Sequence, residues 1–380
     1  MDRQYKKPYG KRKIAVVLST LNAGGAESRI MDIARHIDRN HYDIDLITLS
    51  KDENQFYEEE ALSLGIKIIK LNAPRAIGLY AHYRELIMVL SAYPYDAVHS
   101  NTSYHCGVVL LAAKRCGIPV RIAHARTDHI RHSGFPEQVA LWLGKFLIAL
   151  CATDRIAISA NSARFLFGRR NDVIILQNAI PFDKYCFPDV VEIEQTAVNY
   201  KLTGKTIIGH VGRFDDAKNQ SFLIRIFAEY IKTHTSNSIL VLIGDGQLLK
   251  ECHELCNELC IQDKVLFLGQ RQDVNVWMNL FQVLVFPSKY EGLGNVVIEA
   301  QAAGTPCLVS DSVPKETDMG LGIVEFYSLQ NSTSKWCQMI DKLLLRERPC
   351  PLEIDNAFCK RKYTLSNAIK RLGIIYEGNH

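Results

Sequence analysis

The sequence has no apolar run long enough to cross a bilayer as a helix. Its longest apolar-rich stretch, Val139 to Ala152, is interrupted by Gly144 and Lys145, whereas a membrane-spanning helix needs ~18 uninterrupted apolar residues. No apolar segment follows the charged N-terminal residues, so no secretory signal is predicted. These absences predict a cytoplasmic protein that no helix anchors in a membrane.

The sequence also lacks a recognisable metal-binding pattern. Its 11 cysteines include no Cys-x-x-Cys pair, and scattered thiols without an export signal predict free cysteines in a reducing compartment. Three of them recur every four residues on one predicted helix face: Cys252, Cys256 and Cys260. Small buried side chains explain them better than metal ligands do, because a fourth ligand is missing. His124, His129 and His132 also lack the spacing of a helical metal pair, so we expect no metal.

A broad basic face is absent as well, which argues against nucleic-acid binding. The net charge is +4, and residues 1–13 alone carry six basic side chains against one acidic side chain. This basic N-terminal arm is either a solvated tail or a contact with anionic lipid, to which each Lys or Arg contributes about 1 kcal/mol.

What the sequence does contain is a repeated alternation of strand and helix patterns. A chain of 380 residues with 47% apolar and 23% charged residues is globular and exceeds the ~250–300 residues of one hydrophobic core. The predicted strands are short runs rich in Val, Ile and Leu: Lys13–Thr20, Ile44–Leu49, Lys67–Leu71, Ala97–His99, Val120–His124, Arg155–Ser159, Val173–Leu176, Thr206–Val211, Ile239–Ile243, Val265–Leu268, Val283–Phe286 and Cys307–Val309. Such strands, separated by helices, predict two doubly wound α/β domains with parallel sheets. We expect the domains at 1–180 and 205–355, with 181–204 as the linker.

Glycines and cations follow predicted strands, where ligands bind in parallel α/β sheets. Gly24 and Gly25 follow the first strand; they let the backbone turn tightly, and the start of the next helix favours an anion. Arg213 and Lys218 follow the first strand of the second domain, where two cations can neutralise a diphosphate. The plainer alternatives are a simple turn for the glycines and solvated surface charges for the cations.

The most informative segment runs from Phe286 to Pro306, where a buried strand leads into a glycine-rich loop and an Ala-rich helix. The backbone amides of this loop are suited to phosphate or sugar oxygens. They belong to Gly292, Leu293, Gly294 and Asn295. Glu291 precedes the loop, and Glu299 lies about one turn inside the helix, where a carboxylate can accept hydrogen bonds from a ribose diol. The alternatives are that Glu291 caps the helix and that Glu299 is solvated.

Glu291 and Glu299, followed by Ala-Gln-Ala-Ala-Gly-Thr-Pro, resemble the signature of the retaining family 4 glycosyltransferases. Other motifs match this family in order: Gly-Gly-Ala-Glu at 24–27, Val-Gly-Arg at 211–213, Lys-Asn at 218–219 and Gly-Asp-Gly at 244–246. Within the family the chain is most similar to bacterial exopolysaccharide and capsule transferases. The resemblance implies the GT-B fold, in which two Rossmann-like domains face each other across a cleft. It also implies that the last helix, at about 356–380, packs back on the first, acceptor-side domain.

The resemblance assigns most of the donor site to the second domain. It implies that Arg213 and Lys218 bind the donor diphosphate and that Glu299 holds the ribose. Glu291 and the loop at 292–295 would contact the donor sugar.

From the first domain, the resemblance implies that Gly24 and Gly25 approach the donor phosphate. His124, at the end of a first-domain strand, matches the active-site histidine that faces the donor sugar. Asn101 stands where many relatives have a second histidine.

We therefore expect a retaining hexosyltransferase that uses a nucleoside-diphosphate sugar, with a UDP-sugar favoured over a GDP-sugar. The resemblance implies a front-side displacement in which the departing phosphate takes the acceptor proton, without a metal or another cofactor. It also implies a saccharide acceptor, carried on polyprenyl diphosphate, in exopolysaccharide or capsule synthesis. The alternatives are a nucleotide-sugar epimerase of the same fold and a non-catalytic partner subunit of a glycosyltransferase.

Such an acceptor would bring the protein to the inner face of the cell membrane. The basic arm and the apolar segment 138–150, which carries Trp142 and Phe146, are suited to contact an anionic membrane surface. A helix in the core of the first domain explains the same segment. Peripheral membrane association is therefore expected as one alternative for a cytoplasmic protein.

Overall fold

The computed structural model describes residues 10–127, 134–233 and 237–378. The chain divides into two compact units: unit 1 comprises Met1–Ala179 and Leu365–His380, and unit 2 comprises Ile180–Thr364. Within the described residues, no helix combines the length and the apolar character needed to span a bilayer. The first nine residues of the basic N-terminal arm lie outside the described residues, as do His129 and His132.

Unit 1 is built on a seven-stranded sheet in the order β3-β2-β1-β4-β5-β6-β7, in which every pairing is parallel. Its strands are β1 (Arg12–Leu18), β2 (Tyr42–Thr48), β3 (Lys67–Lys70), β4 (Ala97–Ser100), β5 (Val120–Ala125), β6 (Asp154–Ala157) and β7 (Val173–Ile175). The strand order changes direction between β1 and β4, so a crevice opens there at the carboxyl edge of the sheet.

Helices cover both faces of this sheet. They are α1 (Gly25–His36), α2 (Glu58–Ser63), α3 (Pro74–Ile77), α4 (Leu79–Ser91), α5 (Cys106–Arg115), α6 (Phe135–Cys151), α7 (Ala160–Phe167) and, from the end of the chain, α16 (Leu365–Tyr376). Alternate residues of β1 enter two different cores, as expected for a strand buried on both faces. Ile14 and Val16 pack with α1 and α16, whereas Ala15 and Val17 pack with α4, α5, α6 and α7.

Unit 2 repeats the scheme with a six-stranded sheet in the order β10-β9-β8-β11-β12-β13, again parallel throughout. Its strands are β8 (Thr206–Val211), β9 (Ser238–Ile243), β10 (Val265–Phe267), β11 (Val283–Phe286), β12 (Cys307–Ser310) and β13 (Val324–Tyr327). Its helices are α8 (Phe182–Cys186), α9 (Val190–Asn199), α10 (Gln220–Thr233), α11 (Leu249–Glu258), α12 (Val274–Leu280), α13 (Asn295–Ala302), α14 (Thr333–Leu344) and α15 (Pro351–Lys360). The order changes direction between β8 and β11, which places a second crevice at that carboxyl edge.

Every strand except β13 is predicted from the sequence, with ends that differ by one or two residues. The segment 181–204, for which a linker is expected, carries α8 and α9 and belongs to unit 2. The segment 356–380 divides between the two units, because α15 lies in unit 2 and α16 lies in unit 1.

The described end of the basic N-terminal arm is bound to the sheet of unit 1. The Lys13 ammonium lies 2.7 Å from the Asp43 carboxylate and 3.2 Å from that of Asp45. Arg12 lies 3.7 Å from Asp96. These two residues of the arm are therefore held in ion pairs rather than solvated freely.

The cysteine series on α11 belongs largely to the core of unit 2. Cys252 and Cys256 are buried and Cys260 is exposed. Burial raises the pKa of Cys252 to about 11 and that of Cys256 to about 12, so both stay protonated at neutral pH. Both side chains pack with apolar neighbours in the unit 2 core.

Candidate active site

The centre of the candidate site in unit 2 is an ion pair between Lys218 and Glu291. Lys218 lies in the loop after β8 and Glu291 in the loop after β11, so the pair joins two neighbouring strand ends. Their side chains are only 19% and 10% exposed, and the Lys218 nitrogen also lies 5.0 Å from the ring centre of Phe286. Lys218 is therefore not a solvated surface charge. Glu291 is not a helix cap either, because the N-cap residue of α13 is Gly294.

The backbones of these two loops are bound to each other. The amide of Lys289 donates to the carbonyl of Ala217 at 2.8 Å, and the Asn219 side chain donates to the carbonyl of Pro287 at 3.1 Å. The Gln220 amide donates to the carbonyl of Arg213 at 2.8 Å. The backbone around Arg213 is thus fixed while its side chain is exposed, and its guanidinium makes no ion pair with the part of the chain that the structure describes.

The loop after β9 packs directly on the Gly212–Phe214 backbone. Gly244 has φ +135° and Gly246 has φ +159°. A Cβ atom at Gly244 would collide with the carbonyl of Gly212, and one at Gly246 would collide with the backbone of Phe214. Only glycine satisfies both the backbone angles and this close approach, so the two glycines bring a third strand end to the same edge.

Helix α13 begins at Asn295, one residue after Gly294, which has a left-handed backbone with φ +86°. The sequence predicts helix-start amides from Gly292 onward, but Gly292, Leu293 and Gly294 form the loop that precedes the helix. Leu293 is buried and anchors this loop. The first-turn amides of α13, which point along the helix axis toward the carboxyl edge, begin with that of Asn295.

Glu299 is 8% exposed and lies one turn inside α13. This burial excludes the alternative that Glu299 is a solvated helix residue. Nearby, the Gln301 amide donates to the carbonyl of Thr317 at 2.8 Å and accepts from the amide of Met319 at 2.8 Å. These contacts hold the segment after β12 against α13.

His210 is a buried residue of this edge that the sequence analysis misses. Its Nδ1 lies 3.0 Å from the carbonyl of Val285, its ring stacks on Phe286, and Nε2 has no hydrogen-bond partner among the described residues. Burial, together with a smaller effect of the Lys218 charge, lowers the pKa of His210 to about 4. A neutral imidazole therefore lies near the cation. The only signal in the sequence is a histidine inside an apolar strand, which is more often a core residue.

In unit 1, α1 begins at Gly25 with Gly24 as its N-cap residue, as the predicted turn requires. The Glu27 carboxylate lies so close to Gly24 that a Cβ atom there would collide with it. A carboxylate in the first turn of a helix is electrostatically favourable. The Glu27 carboxylate of α1 therefore already faces the start of that helix, which the sequence predicts to approach a phosphate.

His124 is the last residue but one of β5, which ends one residue later than predicted. Its side chain is buried and belongs to a line of three hydrogen-bonded side chains. The OH of Tyr376 lies 2.8 Å from His99 Nδ1, and His99 Nε2 lies 2.9 Å from His124 Nδ1. His124 Nε2 has no partner among the described residues. When Tyr376 donates to His99 and His99 donates to His124, the remaining proton of His124 is on Nε2.

Burial keeps this line of side chains neutral. It lowers the pKa of His99 to about 3 and holds that of His124 well below its usual value. It also raises the pKa of Tyr376. His124 is therefore suited to donate or accept a hydrogen bond at neutral pH and not to act as a cation.

Arg126, two residues after His124, is a partly buried residue that the sequence analysis also misses. Its Nε donates to Asn101 at 2.9 Å and one terminal nitrogen donates to Asn178 at 2.8 Å, while Nη2 has no partner within the described residues. Burial lowers its pKa to about 10, opposed by the charge of Glu27. Asn101 thus orients a partly buried cation.

Two family models match the chain. The glycosyl transferase 4-like domain matches residues 24–178, and the glycosyl transferases group 1 model matches residues 192–319. Together they cover every strand of the two sheets except β1 and β13, and the glycine-rich loops of both units.

Curated relatives include glycosyltransferases that match most of the chain. The chain is 34% identical to the putative glycosyltransferase EpsF of Bacillus subtilis over 89% of each chain. It is 23% identical to the capsular polysaccharide biosynthesis glycosyltransferase CapH of Staphylococcus aureus, over 91% of this chain and 94% of that protein. It is 26% identical to the UDP-Gal:α-D-GlcNAc-diphosphoundecaprenol α-1,3-galactosyltransferase of Escherichia coli, over 62% and 64% of the two chains.

Among solved structures, Anabaena HepE in complex with UDP and glucose superposes with a TM-score of 0.76. The match covers 95% of this chain and 98% of HepE at 18% sequence identity, so it shows the fold alone. That fold is GT-B, built from two Rossmann-like units. With a relative at 34% identity over 89% of its length and family models on both units, the chain belongs to the group 1 and 4-like glycosyltransferases.

Proposed function

We propose that the chain transfers a hexose from a UDP-sugar to a saccharide carried on polyprenyl diphosphate, in exopolysaccharide or capsule synthesis. Four residues at one carboxyl edge of the sheet in unit 2 carry this proposal. They are exposed Arg213, the ion-paired Lys218 and Glu291, and buried Glu299. HepE, which shares the fold, is described with UDP and glucose. CapH is named for capsule synthesis, and the E. coli relative is named for a UDP-sugar donor and a diphosphoundecaprenol acceptor.

On unit 2, Arg213 and Lys218 bind the donor diphosphate. Arg213 supplies a planar fork of donors and Lys218 a compact charge, which Glu291 orients. The mostly buried position of Lys218 strengthens its attraction for a phosphate, because little water screens it. Glu299 accepts hydrogen bonds from the ribose hydroxyls. Glu291 and the loop at 292–295 border the sugar.

On unit 1, Gly24 and Gly25 lie against the donor phosphates, and His124 contacts the donor sugar through Nε2. With Tyr376 as the donor, the Tyr376–His99–His124 line places the proton of His124 on Nε2. A neutral His124 orients a sugar hydroxyl without repelling the cations that bind the diphosphate. Positioning of this kind is a substantial part of the catalysis of group transfer.

The reaction retains the anomeric configuration by front-side displacement. The bond between the anomeric carbon and the phosphate oxygen breaks, the acceptor oxygen bonds to the same face of that carbon, and the departing phosphate oxygen takes the acceptor proton. The negative charge on the leaving diphosphate is stabilised by Arg213, Lys218 and the amides at the start of α13. We assign the reaction no metal and no other cofactor.

A donor panel tests this proposal. The purified protein is incubated with each common UDP- and GDP-sugar in the presence of EDTA, and release of the nucleoside diphosphate is measured. Arg213→Ala and Glu299→Ala are compared with Arg225→Ala, which removes an exposed arginine from α10. We expect release from one UDP-sugar, a loss of about 100-fold or more in the two site variants, and no change in the control.

Other outcomes assign the alternatives. Conversion of a lone nucleotide sugar without release of diphosphate would indicate an epimerase. Binding of no nucleotide sugar at all, measured by calorimetry, would indicate a non-catalytic partner subunit.

A further inference from the structure

Helix α6 presents an apolar face to solvent. Five large side chains on it are between 48% and 81% exposed: Phe135, Val139, Trp142, Phe146 and Leu150. They recur at intervals of four, three, four and four residues, so they form one line along the helix, here named the α6 stripe. Trp142 is 68% exposed, and its ring is parallel to that of Phe146 at 6.0 Å.

The opposite side of α6 supplies the core contacts of the helix. Gly144, Ile148 and Cys151 are its buried residues, and Gly144 packs so closely on the Tyr104 backbone that a Cβ atom would collide with it. The side of α6 that carries Gly144, Ile148 and Cys151 therefore packs in the core of unit 1, as expected of a core helix. The side that carries the stripe does not. A surface helix of a soluble protein normally turns polar side chains outward, whereas only two residues of α6 are charged, and both Glu137 and Lys145 are partly buried.

The apolar surface continues onto neighbouring helices at the start of α6. Arg75 of α3 lies 3.8 Å from Glu137 of α6, which places the two helix ends side by side. Beyond Arg75, three more apolar side chains are exposed: Ile77, Leu79 and Tyr80. Exposed apolar side chains therefore occur on α3 and α4 as well as on the α6 stripe, and exposed apolar patches mark interaction sites when they are large.

Most of the exposed charges on this side of unit 1 are positive. Over residues 74–127 and 134–172, which include α3 to α7, seven basic residues are exposed: Arg75, Arg84, Lys114, Arg115, Arg164, Arg169 and Arg170. Of the acidic residues in the same described ranges, Glu85, Asp96 and Glu137 are partly buried, Asp154 is buried, and Asp172 is exposed and pairs with Arg170 at 2.9 Å. Cations therefore outnumber carboxylates on the exposed surface of these described ranges.

The α6 stripe also has a defined position relative to the candidate site of unit 1. Helix α6 follows β5 and runs antiparallel to it, so its first residues lie at the carboxyl edge of the sheet. Gly24, Gly25 and His124 lie at the same edge. Phe135, at the start of the stripe, is therefore at the end of unit 1 where the acceptor is expected.

We propose that the α6 stripe and its surrounding cations dock unit 1 on an anionic lipid bilayer. Trp142, Phe146 and their apolar neighbours enter the boundary between headgroups and acyl chains, while the exposed Arg and Lys side chains contact lipid phosphates. Two features favour a bilayer over a protein partner: the stripe extends along ~25 Å of helix, and the exposed charges of the described residues on α3 to α7 and the loop after α7 are mostly positive. The inference deepens the proposed function, because the bilayer would present the polyprenyl-linked acceptor.

Vesicle sedimentation tests this docking without any catalytic step. The full chain is mixed with vesicles of phosphatidylcholine alone or with phosphatidylglycerol added. The test variant is Trp142→Glu/Phe146→Glu. The matched control is Val191→Glu/Val198→Glu, which charges two equally exposed apolar residues of α9 in unit 2. We expect binding to the anionic vesicles, a loss of about tenfold or more in the α6 variant, and unchanged binding in the control.

A second pair of variants tests the cations. Arg84→Glu/Arg115→Glu reverses two exposed charges on α4 and α5 and changes no residue of the stripe. We expect this variant to bind anionic vesicles more weakly. We expect the loss of binding to be larger at low salt, because added salt screens the attraction between basic side chains and the anionic surface. If the Glu variants of α6 do not fold, as judged by circular dichroism, Trp142→Ser/Phe146→Ser replaces them.

Several results would overturn the inference. One is anionic-vesicle binding that the folded α6 variants leave unchanged, and another is the absence of any binding by the unaltered protein. Light scattering supplies a third: if the unaltered protein is a dimer that the α6 variants dissociate, and does not bind vesicles, the stripe is an interface between copies. Release of UDP from the soluble donor, measured in parallel, shows whether the proposed function fails independently of the docking.

Discussion

The Lys218–Glu291 pair shows how one residue of the site depends on another. Both side chains are mostly buried, so each charge has lost most of its water and relies on its partner. Such a pair adds little net stability compared with apolar residues, but removing one partner leaves an uncompensated buried charge. The arrangement therefore favours a fixed position for Lys218 over maximal stability.

Replacing Lys218 by Met is expected to lower the free energy of unfolding of unit 2 by about 2 kcal/mol, because the Glu291 carboxylate stays buried without a cation. Replacing Glu291 by Gln destabilises the unit to a similar degree for the converse reason. The double variant is expected to recover most of the loss. Urea unfolding, followed by the fluorescence of buried Trp277 and Trp336, measures all three.

An additive double variant would contradict this interpretation of the pair. Donor turnover separates stability from function, since the double variant regains stability while it still lacks the cation proposed to bind the diphosphate. Lys250→Met on α11, where the lysine is 88% exposed, is the matched control. It is expected to change neither quantity.

Among the helices, α16 contributes to a site far from it in sequence. It belongs to unit 1 and carries Tyr376 to His99, which lies 277 residues earlier in the chain. Leu365, Ala368, Leu372 and Ile375 of the same helix are buried in the core shared with β1 and α1. The helix thus both completes a core and orients the His99–His124 pair.

Removing the hydroxyl of Tyr376 tests that second role. Tyr376→Phe keeps the ring in place and removes one hydrogen bond, so the free energy of unfolding is expected to fall by about 1 kcal/mol. If His124 contacts the donor sugar, kcat falls about tenfold while the KM of the donor changes little, because the tautomer of His124 is no longer fixed.

The control for this variant is Tyr42→Phe. Tyr42 packs against Tyr376 at 6.0 Å, and its OH donates to Glu377 at 3.3 Å, on the same terminal segment but without a bond to either histidine. A similar loss of kcat in both variants would assign Tyr376 a purely structural role.

Elements differ in how far the sequence predicts them, and burial explains the difference. Strands buried on both faces, such as β9, are continuous apolar runs that only a parallel sheet accommodates. Strand β13 lies at the edge of its sheet, is half-buried and contains Glu325, so it lacks that pattern. Helix α9 buries none of its residues, and its Val190, Val191 and Val198 side chains are exposed, so it lacks the buried face that distinguishes a helix from the expected linker.

The site residues follow the same logic. Arg213, Lys218 and Glu291 are predictable because each follows a strand, and parallel strands end at one edge. The contacts behind His124 and around Arg126 are not predictable. Tyr376 reaches His99, and Asn178 and Glu27 reach Arg126, only through the packing of distant segments. A local pattern carries no information about such contacts.

For the whole molecule, buried histidines predict an unequal response of the two units to acid. Burial lowers the pKa of four histidines in unit 1: His82, His99, His105 and His124. In unit 2 it lowers the pKa of His210 to about 4. An unfolded histidine has a pKa of about 6.5, so below that pH the unfolded chain binds more protons than the folded units. Stability is therefore full above pH ~6.5 and falls as the pH decreases toward the folded pKa values.

Each such histidine contributes up to about 1.4 kcal/mol per pH unit in that window. With four of them against one, unit 1 is expected to lose stability more steeply than unit 2 between pH ~6.5 and ~4.5. Hydrogen exchange read by mass spectrometry, with peptides assigned to each unit, measures the two slopes. Equal slopes would contradict the prediction, and His210→Asn is expected to flatten the slope of unit 2 alone.

Unit 1 is built from two separate segments of the chain, and this affects its folding during synthesis on the ribosome. The strands and most helices of unit 1 emerge first, but α16, which fills part of its core, emerges only after Thr364, the last residue of unit 2. Unit 2 is continuous in sequence, so all of its residues are available before unit 1 receives its final helix. During that interval the groove that α16 will occupy exposes apolar side chains, a state prone to aggregation. The order of translation thus makes the first unit to be synthesised the last to complete its core.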